Sequence, residues 1–225
     1  MPASSGSGAF EPHVSRRLDL KRPPRLGAPV GFATRLRSTP WLDSLALRIA
    51  GAYALLATVA AALSFALRDG PPWSHPAPWI SLPAFTASSI SATLGIGTAG
   101  VVVVGTRVAV ARFAWARRLH DELQPFARGL TSRDVIVVAV LSSLGEELLF
   151  RGLLTPTVGV VASAVIFGLV HQTRGASRWV WSLWACGVGV VLASIFALTG
   201  SLLGPLLAHG IINGVNLTFL RDADR

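Results

Sequence analysis

Residues 49–67 contain no charged side chain, and apolar runs of comparable length recur through the rest of the chain. That pattern constrains the fold more than any other feature, because a helix of about 20 such residues crosses the hydrocarbon of a bilayer. Inside lipid every backbone N–H and C=O has to be satisfied within the protein, which leaves helices and closed barrels. The Val-rich pieces at 101–104 and 135–140 would have unsatisfied edges as open strands, so they read as helix. Composition agrees: hydrophobic residues make up 52% of the chain and charged ones 14%, about half the charged share of an ordinary soluble domain.

The expected architecture is all-α, a polytopic transmembrane bundle of about six spans near residues 49–67, 85–106, 135–154, 158–170, 179–198 and 202–220. Between the first two, Pro71, Pro72, Pro76, Pro78 and Pro83 forbid continuous helix and mark a loop. Residues 107–133 interleave arginines with Val108, Val110, Phe113 and Trp115, the pattern of an amphipathic helix lying at the membrane surface. Trp179, Trp181 and Trp184 open the fifth span as an aromatic belt. Residues 1–40 are Ser-, Gly-, Pro- and Arg-containing without apolar periodicity, and are expected to form a disordered basic tail ahead of a membrane domain at 41–225.

The net charge of +9 would fit nucleic acid, but its placement fits a membrane better. Arg16, Arg17, Lys21, Arg22, Arg25, Arg35 and Arg37 precede the first span, and Arg107, Arg112, Arg117, Arg118, Arg128 and Arg133 lie between the second and third. Basic residues gathered in alternate loops mark the cytoplasmic face, so the N-terminus is expected inside and nucleic acid is not an expected partner. Residues 15–21 superficially resemble a twin-arginine export signal, but the next long apolar run is too distant and the stretch reads as a basic anchor. One cysteine, Cys186, excludes a disulfide framework and a cysteine-based zinc cluster.

Against this apolar background Glu146, Glu147 and Arg151 stand out in the third span. An ionisable group at membrane depth costs about 2.5 to 3.5 kcal/mol even on the lenient insertion scale, so three together need partners or a use. Glu147 and Arg151 are four residues apart, share a helix face and can pair. Glu146 is rotated by about 100° from Glu147 and can point elsewhere. His209 and Asn213 repeat the four-residue spacing on the last span, Asn216 extends their stripe, and Phe167 and His171 repeat it on the fourth. Taken singly, an intramembrane His or Asn is an ordinary interhelical hydrogen-bond partner and a Glu–Arg pair an ordinary clamp. Their coincidence on three neighbouring helices points to one shared site, with Asn216 read as packing or hydrogen bonding. His13, His75 and His120 fall in tails or loops and are expected to be solvent-exposed.

The three patterns, E-E-x-x-x-R at Glu146, Glu147 and Arg151, F-x-x-x-H at Phe167 and His171, and H-x-x-x-N at His209 and Asn213, resemble in order and spacing the motifs of the CPBP intramembrane proteases. That family includes the CAAX prenyl endopeptidases and the bacteriocin-processing and self-immunity (Abi) proteins, and the resemblance covers roughly residues 130–220. It implies an intramembrane endopeptidase. Glu146 would activate water, His171 would position that water, and His209 and Asn213 would stabilise the oxyanion, each such donor being worth roughly 3 to 4 kcal/mol. Glu147 and Arg151 would hold their helix in register, and Phe167 would shape the pocket.

No cofactor is expected; the alternative is a zinc ion on Glu146, His171 and His209, since two imidazoles and a carboxylate with an open position suffice for catalytic zinc. H-E-x-x-H is absent from the chain. Ser201 and His209 share a helix but lack the surroundings of a nucleophile elbow. Arg outnumbers Lys nineteen to one, which points to a bacterial cell membrane, and hence to a peptide or membrane-protein substrate rather than a prenylated one. Competing readings are a non-catalytic immunity or scaffold protein of the same fold, and a proton-coupled transporter using the Glu–His set as a relay. The sequence is silent on substrate identity and oligomeric state.

Overall fold

A computed structural model describes residues 40–68 and 70–223. The expected basic tail, Asp69 and the side chain of Trp41 lie outside those residues. Helix is the only extended secondary structure among the described residues: α1 Pro40–Arg68, α2 Ala84–Arg112, α3 Ala114–Ala127, α4 Ser132–Glu147, α5 Thr155–Val158, α6 Val160–Val170, α7 Arg178–Thr199 and α8 Leu203–Asp222. A π-helical segment, Leu148–Leu154, joins α4 to α5 without a break.

Helices stand at all six expected positions, and α3 occupies the expected amphipathic stretch. Four segments are long and apolar enough to cross a membrane: Leu47–Arg68, α2, α7 and α8. Many large apolar side chains on their outer faces are exposed, Leu55, Phe65, Phe85, Val101 and Leu183 among them, as an integral membrane protein requires of surface that meets lipid. The other two positions differ. The 135–154 stretch is apolar except where Glu146, Glu147 and Arg151 interrupt it, and α6 has 11 residues, about 17 Å of rise against about 30 Å of hydrocarbon. These two short or interrupted elements are the ones that carry most of the motif residues.

Small residues let the long helices approach closely. Gly95 of α2 lies against the backbone of Gly204 of α8, and Gly204 in turn lies against Ser91. A side chain at either glycine would collide with backbone, so bare backbone sets the spacing, as in other membrane helix pairs. The contact is stapled by Ser91, whose Oγ donates to the Ser201 carbonyl at 2.8 Å and accepts from the Gly204 N–H at 2.9 Å. Ala99, Leu192, Ile195, Ala208 and Ile212 form the apolar core between α2, α7 and α8.

The Pro-rich loop expected after α1 is present and is strapped across the α7–α8 turn. The His75 N–H donates to the Gly200 carbonyl at 3.0 Å, Trp79 N–H to Ala197 at 2.7 Å, and Leu202 N–H to Trp73 at 3.2 Å. Gly200 turns the chain there with φ 76°, a left-handed conformation that glycine adopts without a Cβ penalty.

Candidate active site

Helix α4 begins with a capping box: Asp134 N–H donates to Thr131 Oγ1 at 3.2 Å while Thr131 N–H donates to the Asp134 carboxylate at 2.8 Å. From this fixed start the helix delivers Glu146 and Glu147 to its last turn. The backbone then widens into the π-helical segment, which contains Arg151. Its widening is held by the Phe150 carbonyl, which accepts from Thr155 Oγ1 at 2.8 Å and from Ser163 Oγ at 2.9 Å. Such segments in otherwise regular helices are common at functional sites.

Arg151 is 1% exposed and Glu147 fully buried. Arg151 Nη1 donates to Glu147 Oε1 at 2.9 Å, Nη2 donates to the Gly189 carbonyl of α7 at 3.3 Å, and the guanidinium lies 4.4 Å from the centroid of the Phe167 ring. The expected pair therefore forms, and it ties α4 to α7. Glu147 Oε1 has a second partner that the spacing did not foresee: His209 Nδ1 of α8, at 2.7 Å.

Glu146 is turned toward the Nε2 atoms of both histidines. Its Oε2 lies 3.5 Å from His171 Nε2 and 3.8 Å from His209 Nε2. Both separations are long for direct hydrogen bonds, and Oε2 is buried without a hydrogen-bond partner. The tautomers follow from what the other ring nitrogens touch. His171 Nδ1 lies 2.7 Å from the Phe167 carbonyl, which can only accept, so this nitrogen carries a proton. His209 Nδ1 likewise donates to the Glu147 carboxylate. Two Nε2 atoms thus converge on an unpartnered carboxylate oxygen, both within 3.8 Å of it.

Phe167 packs under this group, its centroid 4.3 Å from that of His171, 6.0 Å from that of His209 and 4.9 Å from that of Phe150. Of the residues expected in the site, Glu146, Glu147, Arg151, Phe167, His171 and His209 meet. Asn213 faces α4 one turn away, where its Nδ2 donates to Ser142 Oγ at 3.0 Å. Asn216 accepts from Arg107 Nη1 at 3.3 Å and belongs to helix packing.

Tyr53 of α1 was not foreseen. Its ring lies against Gly145 of α4, which puts the phenol beside Glu146 and within reach of its charge. The available signal was that it is the chain's single tyrosine, set in an apolar span where a phenol needs a partner. Glu122 of α3 was also missed: its carboxylate accepts from Ser177 N–H at 3.1 Å and Ser177 Oγ at 3.1 Å, capping α7 beside the loop that follows His171.

An all-helical membrane bundle in which buried carboxylates face two imidazoles defines the class of protein: a polytopic membrane protein with an enclosed polar centre. Residues 130–215, the stretch in which all three motifs fall, match the family model of the Rce1-like type II CAAX prenyl endopeptidases. The uncharacterized protein YpbD of Bacillus subtilis (strain 168) is 32% identical over 81 residues, which are 36% of this chain and 42% of that protein. The match thus spans less than half of this relative. No solved structure matches the chain.

Proposed function

We propose that the protein is an intramembrane endopeptidase of the glutamate type, acting on a peptide bond of a membrane-associated peptide or protein. The observation that carries this reading is the approach of Glu146 Oε2 to the Nε2 atoms of His171 and His209, at 3.5 and 3.8 Å, with both Nδ1 atoms engaged elsewhere. A water bound beside these groups gives one proton toward His171 Nε2 and the other toward Glu146, leaving its lone pair for the scissile carbonyl carbon. Glu146 takes the proton as hydroxide adds, then returns it to the amide nitrogen as the C–N bond breaks.

The oxyanion needs donors. His209 serves only with both ring nitrogens protonated, because Nδ1–H is committed to Glu147. Asn213 gives one amide hydrogen to Ser142 and has a second for the oxyanion. Water reaches the centre past His171, whose side chain is 21% exposed, twice as open as that of Glu146. The preponderance of Arg over Lys supports a bacterial cell membrane and a non-prenylated substrate, and the arginine-rich 107–133 region supports a cytoplasmic N-terminus.

The same atoms support a second reading. Imidazoles whose outer nitrogens are held by a carbonyl and a carboxylate are the usual arrangement around a metal ion, so Glu146, His171 and His209 are the residues that would hold zinc. Among the described residues no group of three or more His, Cys, Asp or Glu has the geometry of a metal site. Purified wild type and Glu146→Gln are compared on a quenched membrane peptide, with and without a strong chelator. The glutamate reading expects cleavage by the wild type that survives metal stripping and is lost in the variant. Cleavage abolished by chelation and restored by zinc selects the metal reading, and unchanged turnover in the variant removes both.

A further inference from the structure

Tyr53 stands alone in its helix. Apart from Phe65, the described apolar part of α1 around Tyr53 is built from aliphatic and small residues, and a phenol hydroxyl buried there without a partner costs a few kcal/mol. The helix nevertheless aims it at α4. A Cβ at Gly145 would lie 2.9 Å from the Tyr53 carbonyl oxygen and 3.3 Å from its ring Cδ1, so the missing side chain at 145 is what lets the tyrosine backbone and ring lie against α4. Gly145 immediately precedes Glu146, so a tyrosine ring seated there stands beside that carboxylate and within reach of its charge. Glu146 is thereby bounded by three elements: α1 through Tyr53, the end of α6 through His171, and α8 through His209.

We propose that Tyr53 is a positioning residue for Glu146: its hydroxyl anchors the carboxylate so that Oε2 stays unpartnered and turned toward the two imidazoles. A carboxylate at the end of a flexible side chain otherwise samples several rotamers, and a single donor to it removes that freedom. The residue lies outside residues 130–215, so the segment that carries the motifs is completed by a helix that the family match does not include. This role rests on the reading of Glu146 as general base, while the contact itself does not.

Two measurements separate the role from the contact. In the peptide assay, Tyr53→Phe keeps the ring on Gly145 and removes only the oxygen. A hydrogen bond to a charged group corresponds to a loss of about 10-fold or more in kcat. KM is expected to stay within about twofold, with the thermal midpoint near wild type. Tyr53→Leu, which also removes the ring, is expected to lower both kcat and the midpoint. A Tyr53→Phe enzyme with wild-type kcat, alongside a damaged Tyr53→Leu, reduces Tyr53 to packing and overturns the proposal.

The second measurement needs no turnover. Because the chain has one tyrosine, labelling with 13Cζ-tyrosine yields one resonance from the full-length protein in detergent. It is expected to move in Glu146→Gln and to stay in place in Glu122→Gln, whose substitution lies in α3. A resonance indifferent to Glu146→Gln overturns the proposal whatever the activity. A resonance that moves in a protein without hydrolysis sinks the protease reading and preserves the anchoring contact.

Discussion

Glu147 Oε1 receives both His209 Nδ1 at 2.7 Å and Arg151 Nη1 at 2.9 Å, so one buried oxygen joins the last helix to the π-helical segment. This second acid is therefore more than a partner for arginine. It fixes which nitrogen of His209 faces Glu146.

Substituting Glu147 by Gln strands the Arg151 charge in a site that is 1% exposed, and breaking a buried pair in this way costs about 3 to 5 kcal/mol. The double variant Glu147→Gln, Arg151→Met removes both charges, and such replacements are often neutral in stability. The expected outcome is a single variant that expresses poorly and a double variant with a near-normal thermal midpoint. Its kcat is expected to remain at least about 100-fold low, in the range seen when an oxyanion donor is lost. Wild-type kcat in the double variant would make Glu147 a clamp and nothing more.

Charge-free length and four-residue spacing are strong local signals, and they made the helical class, the Glu147–Arg151 pair and the meeting of Glu146, His171 and His209 legible in advance. What escaped depends on partners far along the chain. Tyr53 is more than 90 positions from Glu146, and nothing in α1 announces the gap at Gly145 that admits it. The π-helical turn at Leu148–Leu154 arises because Thr155 and Ser163 both bond the Phe150 carbonyl, a competition that hydrophobic periodicity does not register. Glu122 looked like an ordinary polar residue on an amphipathic helix, and only its bonds to Ser177 show that it caps α7.

Gly95 and Gly97 sit two residues apart on α2 with opposite surroundings. A Cβ at 95 meets the Gly204 backbone, whereas a Cβ at 97 has nothing within 4 Å. Gly95→Ala is expected to lower stability by about 1 to 3 kcal/mol, since backbone cannot yield as a flexible side chain does. Gly97→Ala is expected to be neutral or to stabilise by up to about 1 kcal/mol through helix propensity. Thermal unfolding of the detergent-solubilised variants measures both, and equal midpoints would refute the close α2–α8 contact.

Glu122 supplies an acceptor at the N-terminus of α7, where backbone N–H groups lack intrahelical partners. Glu122→Ala is expected to destabilise this end by about 1 kcal/mol, the usual effect of losing a cap, and to speed amide exchange in residues 172–178 with little change in α2 or α8. Exchange unaltered in that loop would show that Ser177 is satisfied some other way.

His75 links acidity to the strap over the α7–α8 turn. Burial pushes its pKa below the ordinary histidine value, and the nearby Arg68 charge pushes it further down. Its Nδ1 accepts from the Ala77 N–H at 3.2 Å and its ring lies edge-on to Phe196 at 5.2 Å, contacts that suit the neutral imidazole. A histidine whose pKa is lower folded than unfolded contributes stability that is complete above the unfolded value, near about pH 6.5, and is lost as pH falls through the folded one. The thermal midpoint of the wild type is therefore expected to fall between pH 7 and 5 more steeply than that of His75→Phe, which keeps a ring against Phe196 and has no proton to gain. Parallel pH profiles for the two proteins would mean that the strap does not sense protonation at this position.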